Sequence, residues 1–268
     1  MDRRKIEEKI FHNNLRKGAY GQRWSPELEE KIMNDPYWSN MKFYSIERKS
    51  RMFVENWLIE NTKNKVVLDF CCGNGEDSIF MAKNGASKVI GIDISEVSIT
   101  NCIKRSVSEN IDNISNFRVM DAENLEFDYN TFDVVSEYGA LHHIDLEKAF
   151  KSMVKVLKPN GKMICVEALG HNPIIHLYRK RTMDLRTKWE VDHILIKKDI
   201  KKIYKYFNRI EYLGFFHLTT LMAVPFRNKC YFNSLLGTLE KIDEVILKFP
   251  FIKWHAWQVV FVLSEPKK

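Results

Sequence analysis

Residues 65–78, Lys-Val-Val-Leu-Asp-Phe-Cys-Cys-Gly-Asn-Gly-Glu-Asp-Ser, restrict the possible folds more than any other stretch. Val66, Val67 and Leu68 form a short run rich in β-branched residues, which predicts a strand buried on both faces, ended by Asp69 and a turn carrying Gly73 and Gly75. Ile79, Phe80 and Met81, with Glu76 and Asp77 just before them, predict a helix directly after the turn. Strand, glycine turn and helix form the unit that opens a ligand crevice at the carboxyl ends of the strands of an α/β sheet. Glycines suit that turn because a residue without Cβ lets the backbone approach a ligand or take positive φ.

Val89-Ile90-Gly91-Ile92-Asp93 places a second carboxylate at a strand end, 24 residues (93 − 69) after the first, about one strand-helix-strand unit. A carboxylate there can accept hydrogen bonds from ribose hydroxyls, so a nucleoside pocket is expected. Alternation of strands and helices continues from Lys65 onward and predicts a parallel sheet with helices on both faces. Ser95 is the expected cap of the next helix, and Phe117 to Met120 is the third strand, ending in Asp121-Ala122. Phe132 to Glu137 is the fourth and runs into Tyr138-Gly139-Ala140-Leu141-His142-His143. Leu146 to Leu157 reads as an amphipathic helix stopped by Lys158-Pro159-Asn160-Gly161, before a fifth strand over Lys162 to Val166. Lys197 to Phe207 reads as the last core helix, Gly214 to Pro225 as a strand, Tyr231 to Phe249 as a helix and Ala256 to Leu263 as the closing strand.

Ahead of this core, residues 1–61 are expected to form a helical cap. A first helix leads to a Gly18/Gly21 turn, Ser25-Pro26-Glu27 looks like a second helix start, and a third helix spans about Ile46 to Ile59. Tyr37 and Tyr44 are expected near the crevice. The balance of 42 basic and 35 acidic residues gives a charge of +7, which admits a nucleic-acid face, affinity for anionic membranes or a solvated lysine surface; the even spread of lysines favours the last. Five cysteines without zinc-type spacing imply reduced thiols, a cytoplasmic setting and no metal. The charged start Met1-Asp2-Arg3-Arg4 argues against a signal peptide, and no apolar stretch is long enough for a membrane span.

The run Leu68-Asp69-x-x-Cys72-Gly73-x-Gly75, followed by Gly91-Ile92-Asp93-Ile94-Ser95, resembles the S-adenosylmethionine-binding signature of class I methyltransferases. A dinucleotide fingerprint would need a third glycine where Ser78 stands. The Leu157-Lys158-Pro159-Asn160-Gly161 turn is a second mark of the same family, while Cys71 occupies a place where glycine is usual. The resemblance implies a Rossmann-like, seven-stranded, mostly parallel sheet with an antiparallel final edge, a core over 62–268 and helical insertions at about 170–196 and 228–250. It also implies S-adenosylmethionine as cofactor, with Gly73 and Gly75 admitting its amino-acid part, Asp69 beneath it, Asp93 at the ribose, Asp121 and Ala122 at the adenine, and Cys71 and Ile94 in the same cofactor set. Glu137 and Tyr44 complete the expected cofactor set.

His142 and His143 resemble the Leu-His-His segment of small-molecule methyltransferases; with Glu167 and His171 they are the candidate catalytic residues, a histidine there being a potential general base. Arg179, Lys180, Arg181 and Arg186 suit a carboxylate or phosphate on the substrate. The activity implied is methyl transfer to a small-molecule, sugar or lipid-linked biosynthetic intermediate. An RNA methyltransferase, suggested by the net charge and this basic run, and a non-catalytic S-adenosylmethionine-binding module are the rival readings. Nucleic acid is not the expected partner, whereas a homo-oligomer and a peripheral membrane contact near Lys241, Lys248 and Lys253 stay open.

Overall fold

The computed structural model describes residues 2–17, 29, 30 and 36–268. The expected Gly18/Gly21 turn, the Ser25-Pro26 helix start and the Tyr37 side chain lie outside the described residues. Helix α1 (Arg3–Arg16) is followed by a 3₁₀ stretch at Pro36–Ile46 and by α2 (Arg48–Thr62). The alternating part runs β1 (Val66–Phe70), α3 (Glu76–Lys83), β2 (Lys88–Asp93), α4 (Glu96–Ser108), β3 (Ser115–Val119), β4 (Phe132–Tyr138), α5 (Leu146–Val156) and β5 (Leu157–Ala168). After it come α6 (Pro173–Arg181), α7 (Lys188–Asp192), α8 (Lys197–Lys202), β6 (Phe207–Phe216), α9 (Phe232–Ile246) and β7 (Gln258–Pro266).

One seven-stranded sheet has the order β3-β2-β1-β4-β5-β7-β6. The first five strands pair in parallel, and β7 lies antiparallel between β5 and β6. The order reverses between β1 and β4, which makes the ends of those two strands the place where a crevice opens. Alternate residues of β1 feed opposite layers. Leu68 and Phe70 join Phe150, Met153 and Phe261 on one face, while Val67 joins Leu58, Ile79 and Val260 on the other. Both faces are therefore buried, which is why this strand is a continuous apolar run.

Local signals set the helix starts. Asp2 caps α1 by accepting from Lys5 N at 3.0 Å, Ser95 caps α4 by accepting from Ser98 N at 3.0 Å, and Asp145 caps α5 through Glu147 N and Lys148 N. Two expectations need correction. Lys158 to Gly161 is not a turn ahead of β5 but part of it: Phe132 pairs with Leu157, the register slips, and pairing resumes at Val134 and Lys162. An irregularity of that kind accommodates Pro159, which has no N–H to donate. The sixth strand begins seven residues earlier than Gly214, and Pro225 sits in a 3₁₀ turn at Thr220–Phe226. As an edge strand with β7 as its only neighbour, β6 exposes Asn208 and Arg209, so it lacks the apolar run of a central strand. Helical segments between β5 and β6 consequently lie within 173–205 and those between β6 and β7 within 220–255, against the expected 170–196 and 228–250. Among the described residues no helix is long and apolar enough to cross a membrane.

Candidate active site

The loop after β1 has three left-handed residues in five: Cys71 at φ 58°, Gly73 at 52° and Gly75 at 77°. Cys71 thus holds its Cβ in a conformation that side chains seldom adopt, at a cost of about 1–2 kcal/mol. Gly75 cannot gain a Cβ without meeting Cys102 Sγ at 2.9 Å. Asp93, from the end of β2, ties this loop down: Oδ2 accepts from Gly73 N at 2.9 Å and Oδ1 from Ser95 N at 2.8 Å. Asp69 lies beneath, accepting from Ser78 Oγ at 2.5 Å; burial, reinforced by nearby Asp77, pushes its carboxyl up to about 7.

Helix α1 roofs the loop. Arg4, Lys5, Glu8, His12 and Arg16 recur at helical spacing and line, with Cys71, Gly73, Asp93, Ile94, Asp121 and Ala122, a cavity of about 80 Å³. Lys5 Nζ reaches Asp121 at 2.7 Å and Glu123 at 2.8 Å, and Arg4 binds Glu123 and donates to the His143 carbonyl at 3.1 Å. Glu8 meets His143 Nδ1 at 3.0 Å and His12 Nε2 at 3.6 Å and accepts from Thr187 Oγ1. Burial alone would raise the Glu8 carboxyl, but hydrogen bonds from His12 and His143 hold it well below the usual carboxylate range. The same contact outweighs burial at His143 and raises its imidazole, whereas burial prevails at His12 and lowers it. These α1 residues carry no strong sequence signal beyond their i, i+4 spacing, which is why only the folded chain identifies them.

A second cavity of about 170 Å³ adjoins the first and shares His12, Arg16, Tyr138, Gly139 and His143 with it. Phe43, Tyr44, Ile175, Tyr178 and Trp257 give it apolar walls, and His142, Glu167, Arg179, Arg186 and Glu190 bring charge. Glu167, at the end of β5, accepts from Leu141 N at 2.5 Å and meets His142 Nδ1 at 2.7 Å. Burial works to raise Glu167, yet the His142 contact holds it below its ordinary value. An ionised Glu167 makes His142 Nδ1 the donor, and a neutral His142 then carries its lone pair on Nε2. Glu137 beside it is pushed well up by burial and by the Glu167 charge, and its Oε1 accepts from Ala140 N at 2.6 Å.

The expected site residues therefore fall into three groups. Cys71, Gly73, Asp93, Ile94, Asp121 and Ala122 line the smaller cavity, and Tyr44, His142 and Glu167 line the larger. His143 borders both. Asp69, Gly75 and Glu137 stand behind the walls as supports, through Ser78, the α3 N-terminus and Ala140 respectively. His171 lines neither cavity: its Nε2 accepts from Lys197 N at 2.9 Å, because the chain turns away at Gly170, whose N–H bonds to Leu195 O.

Residues 61–208 match a family model described as a methyltransferase domain, more than half of the chain. The chain belongs to the methyltransferase-domain family. Its seven-stranded, mostly parallel sheet with antiparallel edge strands and helices around it matches the Rossmann-like methyltransferase fold. Among sequence relatives, it is 34% identical over 110 residues to the ubiquinone/menaquinone biosynthesis C-methyltransferase UbiE of Rickettsia prowazekii, covering 39% of this chain and 44% of that protein. It is 36% identical over 123 residues to the demethylmenaquinone methyltransferase of Staphylococcus carnosus, covering 44% of this chain and 48% of that one. The chain thus spans about half the length of the curated relatives it matches. In fold it is similar to the geranyl diphosphate C-methyltransferase of Streptomyces coelicolor A3(2), crystallised with Mg²⁺, geranyl diphosphate and S-adenosyl-L-homocysteine, with a TM-score of 0.64 at 13% identity over 98% of both chains. The [4+2]-cyclase SpnF shares the fold at a TM-score of 0.56, 16% identity and 80% coverage of each chain. A cyclase among the neighbours shows that this fold leaves the chemistry to the site.

Proposed function

We propose that this methyltransferase domain transfers a methyl group from S-adenosylmethionine to a small-molecule acceptor held in the larger cavity. The observation that carries the reading is the junction of the two cavities at Tyr138 and Gly139, between a nucleoside-type site and an apolar one. The residues fit the cofactor. Arg16 is buried with no partner for its Nε among the described residues, a cation suited to an amino-acid carboxylate. Asp93 spends one lone pair of each oxygen on backbone amides and retains others for ribose hydroxyls, and Asp121, beside Ala122, is an acceptor for the adenine amine. S-adenosylmethionine would supply an activated methyl on a sulfonium, so no covalent enzyme intermediate is required.

The chain's own work is to place the acceptor and exclude water. Helix α1, closed over the loop by the Lys5 and Arg4 ion pairs, acts as the lid of the helical cap at 1–61. His142, oriented by Glu167, is the general base for an acceptor that must lose a proton, and His143, oriented by Glu8, borders the point of transfer. The names of the relatives, C-methyltransferases of quinone biosynthesis, support a small acceptor with an apolar ring. A cytoplasmic location belongs to the same reading and is supported by the five free thiols.

Calorimetric titration with S-adenosylhomocysteine tests the cofactor half. The wild-type chain should release heat, and Asp93→Ala should weaken binding about 100-fold, the scale of lost charge-assisted hydrogen bonds. No heat, or an unchanged affinity in Asp93→Ala, overturns the proposal. Transfer of labelled methyl to a panel of small quinol and phenol acceptors then tests the acceptor half.

A further inference from the structure

Among the described residues, Arg179 is a buried cation that no carboxylate reaches at hydrogen-bond or ion-pair distance; Glu190 and Glu167 act on it only through space. Its side chain enters the larger cavity from α6 and is 6% exposed, with no hydrogen bond or ion pair to any described residue. The carboxylates around the same cavity are committed elsewhere. Glu190 binds Arg186 Nη1 at 2.5 Å, and Glu167 binds His142 at 2.7 Å. Arg186 is itself held, donating through Nη2 to Asn40 Oδ1 at 3.0 Å, the oxygen that also accepts from Tyr178 at 3.0 Å. Burial and the neighbouring Arg186 charge pull Arg179 down to about 10, as expected for a guanidinium removed from water with a second cation nearby and no bonded anion.

A folded chain rarely keeps such a group, because burying an unpaired charge opposes folding. Retained at the wall of a cavity that also presents the apolar side chains Phe43, Tyr44, Ile175 and Trp257, it matches a ligand that is apolar along its body and anionic at one end. We infer that the acceptor carries a carboxylate or phosphate that pairs with Arg179, while its apolar part lies between Arg179 and the His142–Glu167 pair. This rests on the methyl-transfer reading for the word acceptor; the anion subsite itself does not depend on it. The guanidinium fork suits either anion, since both present two oxygens in a plane.

The test uses the full chain, with and without saturating S-adenosylhomocysteine, and three probes: 4-hydroxybenzoate, its neutral counterpart 4-hydroxybenzamide, and inorganic phosphate. Ligand-observed NMR titration should show at least one anion binding tenfold or more tightly than the amide. Arg179→Met and Arg179→Gln should both erase that preference and leave S-adenosylhomocysteine affinity within about twofold. Preference for 4-hydroxybenzoate assigns a carboxylate and preference for phosphate assigns a phosphoryl group. A second readout separates this role from a structural one. Because Arg179→Met removes an unpaired buried charge, the Tm of the ligand-free variant should rise by about 2 °C or more, where loss of a structural contact would lower it. Equal binding of anion and amide to the wild-type chain, or a preference that survives both substitutions, overturns the inference. Failure of S-adenosylhomocysteine to bind would instead strike the methyl-transfer reading, with the anion preference still decided by titration of the ligand-free chain.

Discussion

The two cavities at the β1/β4 reversal differ in how their wall charges are paired, and they share Arg16. In the smaller one Arg4 and Lys5 are matched to Glu123 and Asp121, and α1 is fastened to the sheet edge by those pairs. In the larger one Arg186 pairs with Glu190 and Glu167 with His142, while among the described residues Arg179 makes no side-chain bond and Arg16, shared by both cavities, keeps an unpartnered Nε. On the proposed reading, the roof of a closed cofactor site would benefit from internal pairing because it must hold shape between turnovers. An acceptor wall that leaves one charge unmatched reserves that interaction for the ligand and keeps the site less stable than it could be. On the proposed reading, the smaller cavity would be the cofactor side and the larger the acceptor side, and the unbonded Arg179 would be the place where acceptor choice is made.

The strongest way to break the comparison is at Glu167, the support beneath the acceptor cavity. Glu167→Ala leaves His142 Nδ1 and the Leu141 amide without an acceptor in a buried place and should cost about 4 kcal/mol of stability, read by denaturant unfolding. A loss under about 1 kcal/mol would show that the acceptor side is no less self-supporting than the cofactor side. Next comes acid sensitivity beneath the same cavity, where Ser50 Oγ bonds both His217 Nε2 at 2.8 Å and Gln258 Oε1 at 2.9 Å and Gln258 in turn bonds Glu47. Burial lowers His217 to about 4 from an ordinary 6.5, so the fold favours the neutral ring. The stability that it contributes is complete above pH 6.5 and is lost as pH falls toward 4, about 3 kcal/mol in all. Unfolding curves of the wild type and His217→Gln across that window should diverge, with the variant flatter. The smallest effect is on the cofactor side. Cys71→Gly relieves a left-handed side chain at φ 58° but frees the unfolded chain, so it should stabilise by no more than about 1 kcal/mol and leave the acceptor cavity's anion preference unchanged.

Much of the smaller cavity was legible in the sequence because its determinants are local. Val66 to Phe70, the two glycines, Asp93 and Asp121 lie on or beside strand ends, and a strand end in a parallel sheet has few places to go. Legibility failed where pairing decides structure. The irregularity that takes Pro159 into β5 and the early start of β6 depend on neighbouring strands, and an edge strand carries little periodicity of its own. Glu137 and Asp69 read as ligands, but they stand behind the cavity walls, each with one oxygen accepting from Ala140 N and Ser78 Oγ respectively. His171, close to Glu167 in sequence, was carried off by the bond from Gly170 N to Leu195 O.

Sequence by itself determined the α/β alternation, the nucleotide-type loop and the two carboxylates at its strand ends, since each follows from backbone chemistry within a few residues. Only the tertiary structure decided that α1 is the roof, that Glu8 meets His143 across 135 positions, and that Arg179 is buried with no carboxylate bonded to it among the described residues. Burial and pairing are properties of neighbours in space, and in those three cases the neighbours come from distant parts of the chain.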